Sequence, residues 1–271
     1  MAESLKSLCF SGRNLKLIDQ SEIHYPQSGA SRLATVEMNH FWFTARRAVV
    51  VSLLKRSGVA TRSATILGLD IGCGTGFTAV YLTENGFPTL GIDSYASFAE
   101  LYQQGRGAGF IQGNIHSIDP EREFNFVLLL DVLEHVVDDA GFLKQAIKFV
   151  KPDGVVILSL PAFRFLWSGV DEQAGHLRRY DKETMTRLVE GIGQGVRIEK
   201  QFYYYGSTIV PYWFSRLRRK GSEKIIQTER HPSKFMNSLI KGVLEVERMF
   251  IPFSGLPIGS SLFTIIRVGK L

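Results

Sequence analysis

Three glycines spaced two apart, Gly72, Gly74 and Gly76, follow an apolar run and a carboxylate in Ile66-Leu67-Gly68-Leu69-Asp70-Ile71-Gly72-Cys73-Gly74-Thr75-Gly76. Glycine lets a backbone turn sharply and lets a ligand approach without a Cβ in the way. A loop of this kind between a buried strand and a helix lies at the crevice where open α/β sheets bind ligands. The spacing discriminates among ligands. The dinucleotide fingerprint G-x-G-x-x-G needs glycine at 77, where Phe77 stands, and no Gly-Lys-Ser/Thr follows as a P-loop requires. Further on, Asp131, Glu134 and His135 are spaced i, i+3, i+4, with His176 downstream. A histidine, with its ordinary pKa of about 6.5, suits general-base work near neutral pH. On one helical turn the three side chains would converge, and with His176 could instead hold a divalent cation that lowers the pKa of a bound hydroxyl.

Short β-rich runs alternating with longer helical patterns must position these residues. The pattern predicts a helix over Asn39–Arg56, then strands over Ala64–Ile71, Thr89–Asp93, Phe110–Gln112, Asn125–Leu130 and Val155–Leu160. Helices are expected at Phe77–Asn85, Tyr95–Gln104 and Asp139–Val150, the last stopped by a turn at Lys151-Pro152-Asp153-Gly154. A helix from the N-cap Asp181 to Glu190 and strands over Val196–Phe202 and Ser261–Val268 complete the chain. Such β-then-α alternation implies a mostly parallel sheet with helices on both faces.

The segment Asp70-Ile71-Gly72-Cys73-Gly74-Thr75-Gly76 resembles the first motif of class I S-adenosylmethionine-dependent methyltransferases. Gly91-Ile92-Asp93-Ser94, Gln112-Gly113-Asn114-Ile115 and Leu130-Asp131-Val132-Leu133-Glu134-His135 follow in the family's order. His40-Phe41-Trp42-Phe43-Thr44-Ala45-Arg46 and Gly175-His176-Leu177-Arg178-Arg179-Tyr180 resemble segments of one branch that acts on small molecules and saccharides. The resemblance implies a Rossmann-like sheet of seven strands, the last antiparallel, with a helical insertion before it. It implies S-adenosylmethionine as cofactor, held by Asp70, Gly72, Cys73, Gly74, Gly76, Asp93, Ser94, Asn114, Ile115 and Asp131. Asp93 can accept from both ribose hydroxyls. Asn114 stands where the family usually has Asp, and its side-chain oxygen still accepts from the adenine amine. Arg46 is expected to reach the cofactor's carboxylate.

His135 and His176 are the candidate catalytic bases, against the plainer roles of orienting a loop or pairing with Asp171 or Asp181. The metal alternative rests on likeness to ubiquinone-pathway O-methyltransferases and small-RNA 2′-O-methyltransferases, and the main expectation is a site without metal. Arg47, Lys55 and Arg56 are expected on a solvated helix face. Phe41 and Trp42 either roof the cofactor or pack the helix. Cys73 fills space, since no base accompanies it.

With 271 residues, 45% hydrophobic and 21% charged, the chain suits one large domain with a proper core. The expected division is an N-terminal lid and helix over 1–60, a cofactor-binding core over 61–206, an insertion over 207–257 and the last strand over 258–271. Two distant cysteines, Cys9 and Cys73, make no disulfide framework or zinc-finger spacing. No signal-peptide core and no membrane-length apolar run is present in the sequence, which suggests a cytoplasmic protein. The net charge of +6 sits mostly in the insertion, which holds nine Lys or Arg against four Glu. Seven aromatics between 202 and 214, among them Tyr204, Tyr205, Tyr212, Trp213 and Phe214, lie beside Arg216, Arg218, Arg219 and Lys220. This segment is open to three uses: packing on the core, walling a pocket for a bulky, glycan- or lipid-like acceptor, or peripheral contact with the inner membrane face.

The expected activity is methyl transfer to a hydroxyl, amine or carbon of a small metabolite, saccharide or amphiphile. A silent cofactor-binding assembly or regulatory protein is the alternative. A nucleic-acid methyltransferase is more distant, since no RNA-binding module is appended and no Asn-Pro-Pro-Tyr/Phe motif follows the fourth strand.

Overall fold

A computed structural model describes residues 37–59, 66–94, 109–115, 123–209, 232–251 and 255–269. Residues 1–36 of the expected N-terminal lid and helix, the expected helix Tyr95–Gln104, and the segment carrying Tyr212, Trp213, Phe214 and the Arg216–Lys220 cluster lie outside these residues, as does Cys9.

Seven strands form one sheet in the order β3-β2-β1-β4-β5-β7-β6. They are β1 (Gly68–Ile71), β2 (Thr89–Asp93), β3 (Gly109–Gln112), β4 (Phe124–Leu130), β5 (Val150–Pro161), β6 (Val196–Tyr204) and β7 (Ser261–Val268). β1 pairs parallel with both β2 and β4, β2 with β3, and β4 with β5. β7 runs antiparallel to both of its neighbours, β5 and β6. The order reverses between β1 and β4, so a crevice opens there at the strands' C-terminal ends.

β4 is buried along its whole length because both sheet faces are covered. Val127 and Leu129 enter one core with Leu158, Leu143 and Met185, while Phe126, Leu128 and Leu130 enter the other with Leu54, Ile157 and Phe263. The second core is roofed by α1 (Phe41–Arg56), whose N-cap His40 accepts from the Trp42 amide at 3.2 Å. α2 (Phe77–Glu84) follows the glycine loop, and α3 (Asp139–Ile147) and α4 (Gly169–Ala174) flank β5. α5 (Lys182–Ile192) starts at the expected cap Asp181, whose carboxylate accepts from the Thr184 amide at 2.8 Å. α6 (Lys234–Met249) lies within the insertion.

Two expectations are corrected. Lys151-Pro152-Asp153-Gly154 does not end the element before β5; the strand begins at Val150 and absorbs the turn residues as an irregularity, with a register shift opposite Phe124 and Phe126. Asp153 takes φ 64°, so one left-handed residue lets the chain bend without leaving the sheet. Arg47 does not face solvent. It is buried, its guanidinium donating to the Glu37 carbonyl at 3.2 Å and the Met38 carbonyl at 3.0 Å. A charged side chain can be buried when backbone acceptors take its donors, and periodicity carries no sign of them. Lys55 and Arg56 are exposed as expected.

Candidate active site

The ends of β1, β2 and β4 set the site. Asp70, the third residue of β1, is 2% exposed, and its Oδ2 has no hydrogen-bond partner. Burial, only partly opposed by Arg46, pushes its carboxyl up to about 7. The chain then turns through Gly72 (φ 71°), Gly74 (φ 55°) and Gly76 (φ 81°) into α2. A Cβ at Gly72 would lie 2.7 Å from a Val132 methyl, whereas one at Gly74 would meet nothing within 4 Å. Gly72 is thus required by packing, and Gly74 borders open space.

Asp93 closes β2 and turns toward the loop, its Oδ2 accepting from the Gly74 amide at 2.9 Å. Ser94 donates to the Gly113 carbonyl at 3.3 Å, tying the end of β2 to the residues after β3. Asn114 is half-buried there, and the Ile115 side chain is part of the core. Cys73 is buried, and burial pushes its thiol well above the ordinary range, so it is an unreactive filler.

Asp131 leaves β4 at φ 59° and meets Arg46 from α1 in an ion pair, while Ser159 donates to its Oδ1 at 3.4 Å. Burial raises the Asp131 carboxyl, and Arg46 opposes that rise. Arg46 is also 4.0 Å from Glu37, lies over the Trp42 ring at 4.9 Å, and keeps its buried Nε without a hydrogen bond. Glu37 in turn accepts from the Thr75 hydroxyl in the glycine loop. Glu37 carries no motif, and only the fold reveals that it joins Arg46 of α1 to Thr75 of the loop. Phe41 and Trp42 pack on the second core, and Trp42 stacks on Tyr205 with centroids 5.8 Å apart.

Leu133–His135 form a 3-10 turn, so the expected convergence of Asp131, Glu134 and His135 on a helical turn is only partial. Glu134, His135 and His176 come together, with one ligand atom from each within 4.8 Å of the others, while Asp131 turns to Arg46. Glu134 is fully buried with both carboxylate oxygens lacking hydrogen bonds; burial, and then the Asp131 charge, push its carboxyl well up. His176 Nδ1 lies 2.9 Å from Asp171 Oδ1, and its Nε2 lies 4.0 Å from Glu134. The plainer expectation of a His176–Asp171 pair is therefore realised, and Arg179 reinforces it with an Nε bond of 2.7 Å to the same carboxylate. Burial alone would raise the Asp171 carboxyl, but His176 and Arg179 outweigh it and hold it at about 2. His135 Nδ1 lies 3.3 Å from the Gly175 carbonyl, and its ring meets His176 edge-on at 4.8 Å. Two imidazoles and one acid are a nitrogen-rich donor set, unlike the oxygen-rich shell magnesium takes. The three could hold a divalent cation that accepts imidazole nitrogen, and they suit magnesium less well.

This arrangement can do two things. The loop, Asp70 and Asp93 form a cradle whose backbone a ligand can approach closely, and the Asp171–His176 pair fixes an imidazole tautomer with Nε2 free to take a proton.

A family model described as a methyltransferase domain matches residues 42–196, more than half of the chain. The ubiquinone biosynthesis O-methyltransferase of Rickettsia prowazekii is 32% identical over 96 residues, covering 34% of this chain and 38% of its own length. That of Bradyrhizobium diazoefficiens is 35% identical over 107 residues, covering 36% of this chain and 42% of its own. The matches thus span about two-fifths of these curated relatives. Among solved structures, phosphoethanolamine N-methyltransferase 2 of Haemonchus contortus, in complex with S-adenosyl-L-methionine, superposes with a TM-score of 0.54 at 15% identity. That match covers 92% of this chain and 58% of the other, and it shows a shared fold.

Proposed function

We infer, since this chain belongs to the methyltransferase-domain family, that it transfers a methyl group from S-adenosylmethionine to a small-molecule acceptor. The observation that carries this is the cradle at the sheet's reversal point: a left-handed glycine loop, open space over Gly74, and the buried Asp70 oxygen without a partner. The residues fit the cofactor, because an orphaned buried acceptor and a backbone free of Cβ atoms suit a ligand carrying an ammonium and ribose hydroxyls. When bound, S-adenosylmethionine supplies a methyl group activated by sulfonium charge.

Asp93, already oriented by the Gly74 amide, takes the ribose hydroxyls, and Asn114 with the backbone at Ile115 takes the adenine edge. Ser94 braces Asp93's strand end against the turn that carries Asn114. Arg46 and Asp131 would hold the methionine end, with the unpartnered Arg46 Nε offering a donor to the cofactor's carboxylate while Asp131 keeps the guanidinium in place. His176 is the base: ionised Asp171 accepts from Nδ1–H, so Nε2 removes the acceptor's proton as the methyl bond forms. His135 positions His176 through its ring contact and offers a second proton acceptor.

The acceptor is a hydroxyl-, amine- or carbon-bearing metabolite, saccharide or amphiphile, and the insertion over 207–257 sets its choice and its access from a membrane face. The core over 61–206 holds the cofactor, with 1–60 as its cover. Calorimetry with S-adenosylmethionine and S-adenosylhomocysteine tests the cofactor reading; no binding of either would sink it. Binding without turnover on any acceptor pool would instead favour a silent assembly or regulatory protein.

A further inference from the structure

Helix α6 has an occupied inner face. Leu244 and Glu247 are buried, the Leu244 carbonyl accepts from the Tyr204 hydroxyl at 2.8 Å, and Glu247 accepts from the Gly206 amide at 2.9 Å and the Ser207 hydroxyl at 2.8 Å. Asn237 accepts from the Phe41 amide at 2.8 Å and donates to the Asn39 carbonyl at 2.9 Å, fixing α6 to the start of α1.

The outer face is apolar and open. Phe235, Leu239, Val243, Val246, Met249 and Phe250 are all exposed, Phe235 by 77% and Met249 by 69%. With Met236 and Gly242 they fill an arc of roughly 140° at 3.6 residues per turn, and no charged residue falls inside it. The cations gather along one border, where Lys234, Lys241 and Arg248 recur every seventh residue. Glu245, the acid on that border, is neutralised by Arg248 at 2.9 Å. At the C-terminal end of the arc a cavity of about 250 Å³, lined by Ser52, Arg56, Arg248, Met249 and Ile251, sets a second arginine beside the apolar stripe.

An exposed apolar stripe with a column of cations on its edge is an interaction surface. We propose that the outer face of α6 docks this protein in the plane of an anionic lipid membrane. The stripe enters the acyl boundary, while Lys234, Lys241 and Arg56 meet headgroup phosphates and Arg248 stays with Glu245. This deepens the membrane-facing role given above to the insertion by naming the helix and the lipid chemistry. Charge opposes an antiparallel second copy as occupant, because a two-fold axis across the helices would bring the like-charged columns to the same side, and the dimer is kept as an outcome of the test below. Among the described residues no helix is long and apolar enough to cross a membrane, so attachment through α6 is in-plane.

Co-sedimentation of the full chain with vesicles tests this. Phosphatidylglycerol-containing vesicles are expected to carry the protein down, phosphatidylcholine vesicles far less, and added salt should release it. The double substitution Leu239→Ser and Val246→Ser lowers partition at least about tenfold, given the transfer free energy of two aliphatic side chains. Lys234→Glu with Lys241→Glu abolishes the preference for phosphatidylglycerol. Failure to bind anionic vesicles, or wild-type binding by either double variant, overturns the proposal. So does light scattering that shows a dimer which the Leu239 and Val246 substitutions convert to monomer. Calorimetry with S-adenosylmethionine on the same variants checks that they fold; loss of cofactor binding in the wild type would strike the methyltransferase reading and leave the vesicle result standing.

Discussion

The guanidinium of Arg46 lies against the carboxylate of Asp131, joining α1 to the end of β4 across 85 residues of chain. Both groups are largely buried, at 9% and 19% side-chain exposure, and a buried ion pair is far easier to keep whole than to halve. Arg46→Ala leaves Asp131 uncompensated beside the buried Glu37. The expected cost is about 3–5 kcal/mol, read from urea unfolding, with loss of S-adenosylmethionine binding. The double variant Arg46→Met with Asp131→Leu should recover much of the stability and none of the binding. Equal stability of Arg46→Ala and wild type would contradict the pair's structural role.

Gly74 separates folding from binding. Its left-handed backbone makes Gly74→Ala strained by roughly 1 kcal/mol, yet the new Cβ meets no atom of the protein. The variant should therefore fold with a modestly lower melting temperature and lose S-adenosylmethionine affinity tenfold or more, because the methyl group stands where the ligand approaches. Gly72→Ala, pressed against Val132, should fail in the thermal melt first. Unchanged cofactor affinity in Gly74→Ala would remove the loop from the proposed cradle.

Asp70 gives the ligand-free protein a pH signature. Its carboxyl is raised from 3.8 to about 7, so between those values the folded chain holds a proton that the unfolded chain has lost. The contribution to stability is full below the lower value and is lost as pH rises through the upper one. Asp171, lowered from 3.8 to about 2, acts in the opposite sense and below that window, its contribution being lost as pH falls. Urea unfolding between pH 4 and 7 should show Asp70→Asn without a decline on the order of 3 kcal/mol that wild type displays. Parallel curves for the two proteins would refute the assignment.

Turnover should depend on His176 and not on metal. Once an acceptor is in hand, His176→Ala is expected to lower kcat roughly 10²- to 10⁴-fold while S-adenosylmethionine affinity holds, and Asp171→Asn should fall between it and wild type. Activity is expected to survive exhaustive chelation. A loss that manganese or magnesium restores would instead make Glu134, His135 and His176 ligands, with Glu134 ionised by the cation.

Local sequence determined the sheet and the loop, because their signals are local. Continuous apolar runs mark strands buried on both faces, and Asp70 through Gly76 at two-residue spacing can serve few other ends. The same holds for the cap at Asp181. The Asp171–His176 pair apart, tertiary structure decided what the charged groups of the site face. Arg47 is buried since two carbonyls wait for it, Asp131 makes its ion pair with Arg46, and Glu37 reaches Thr75 from a stretch with no periodic signal. The last two pairings span tens of residues. They arise from burial, which makes a lone charge costly and so selects partners by position in space, a quantity that spacing along the chain does not encode.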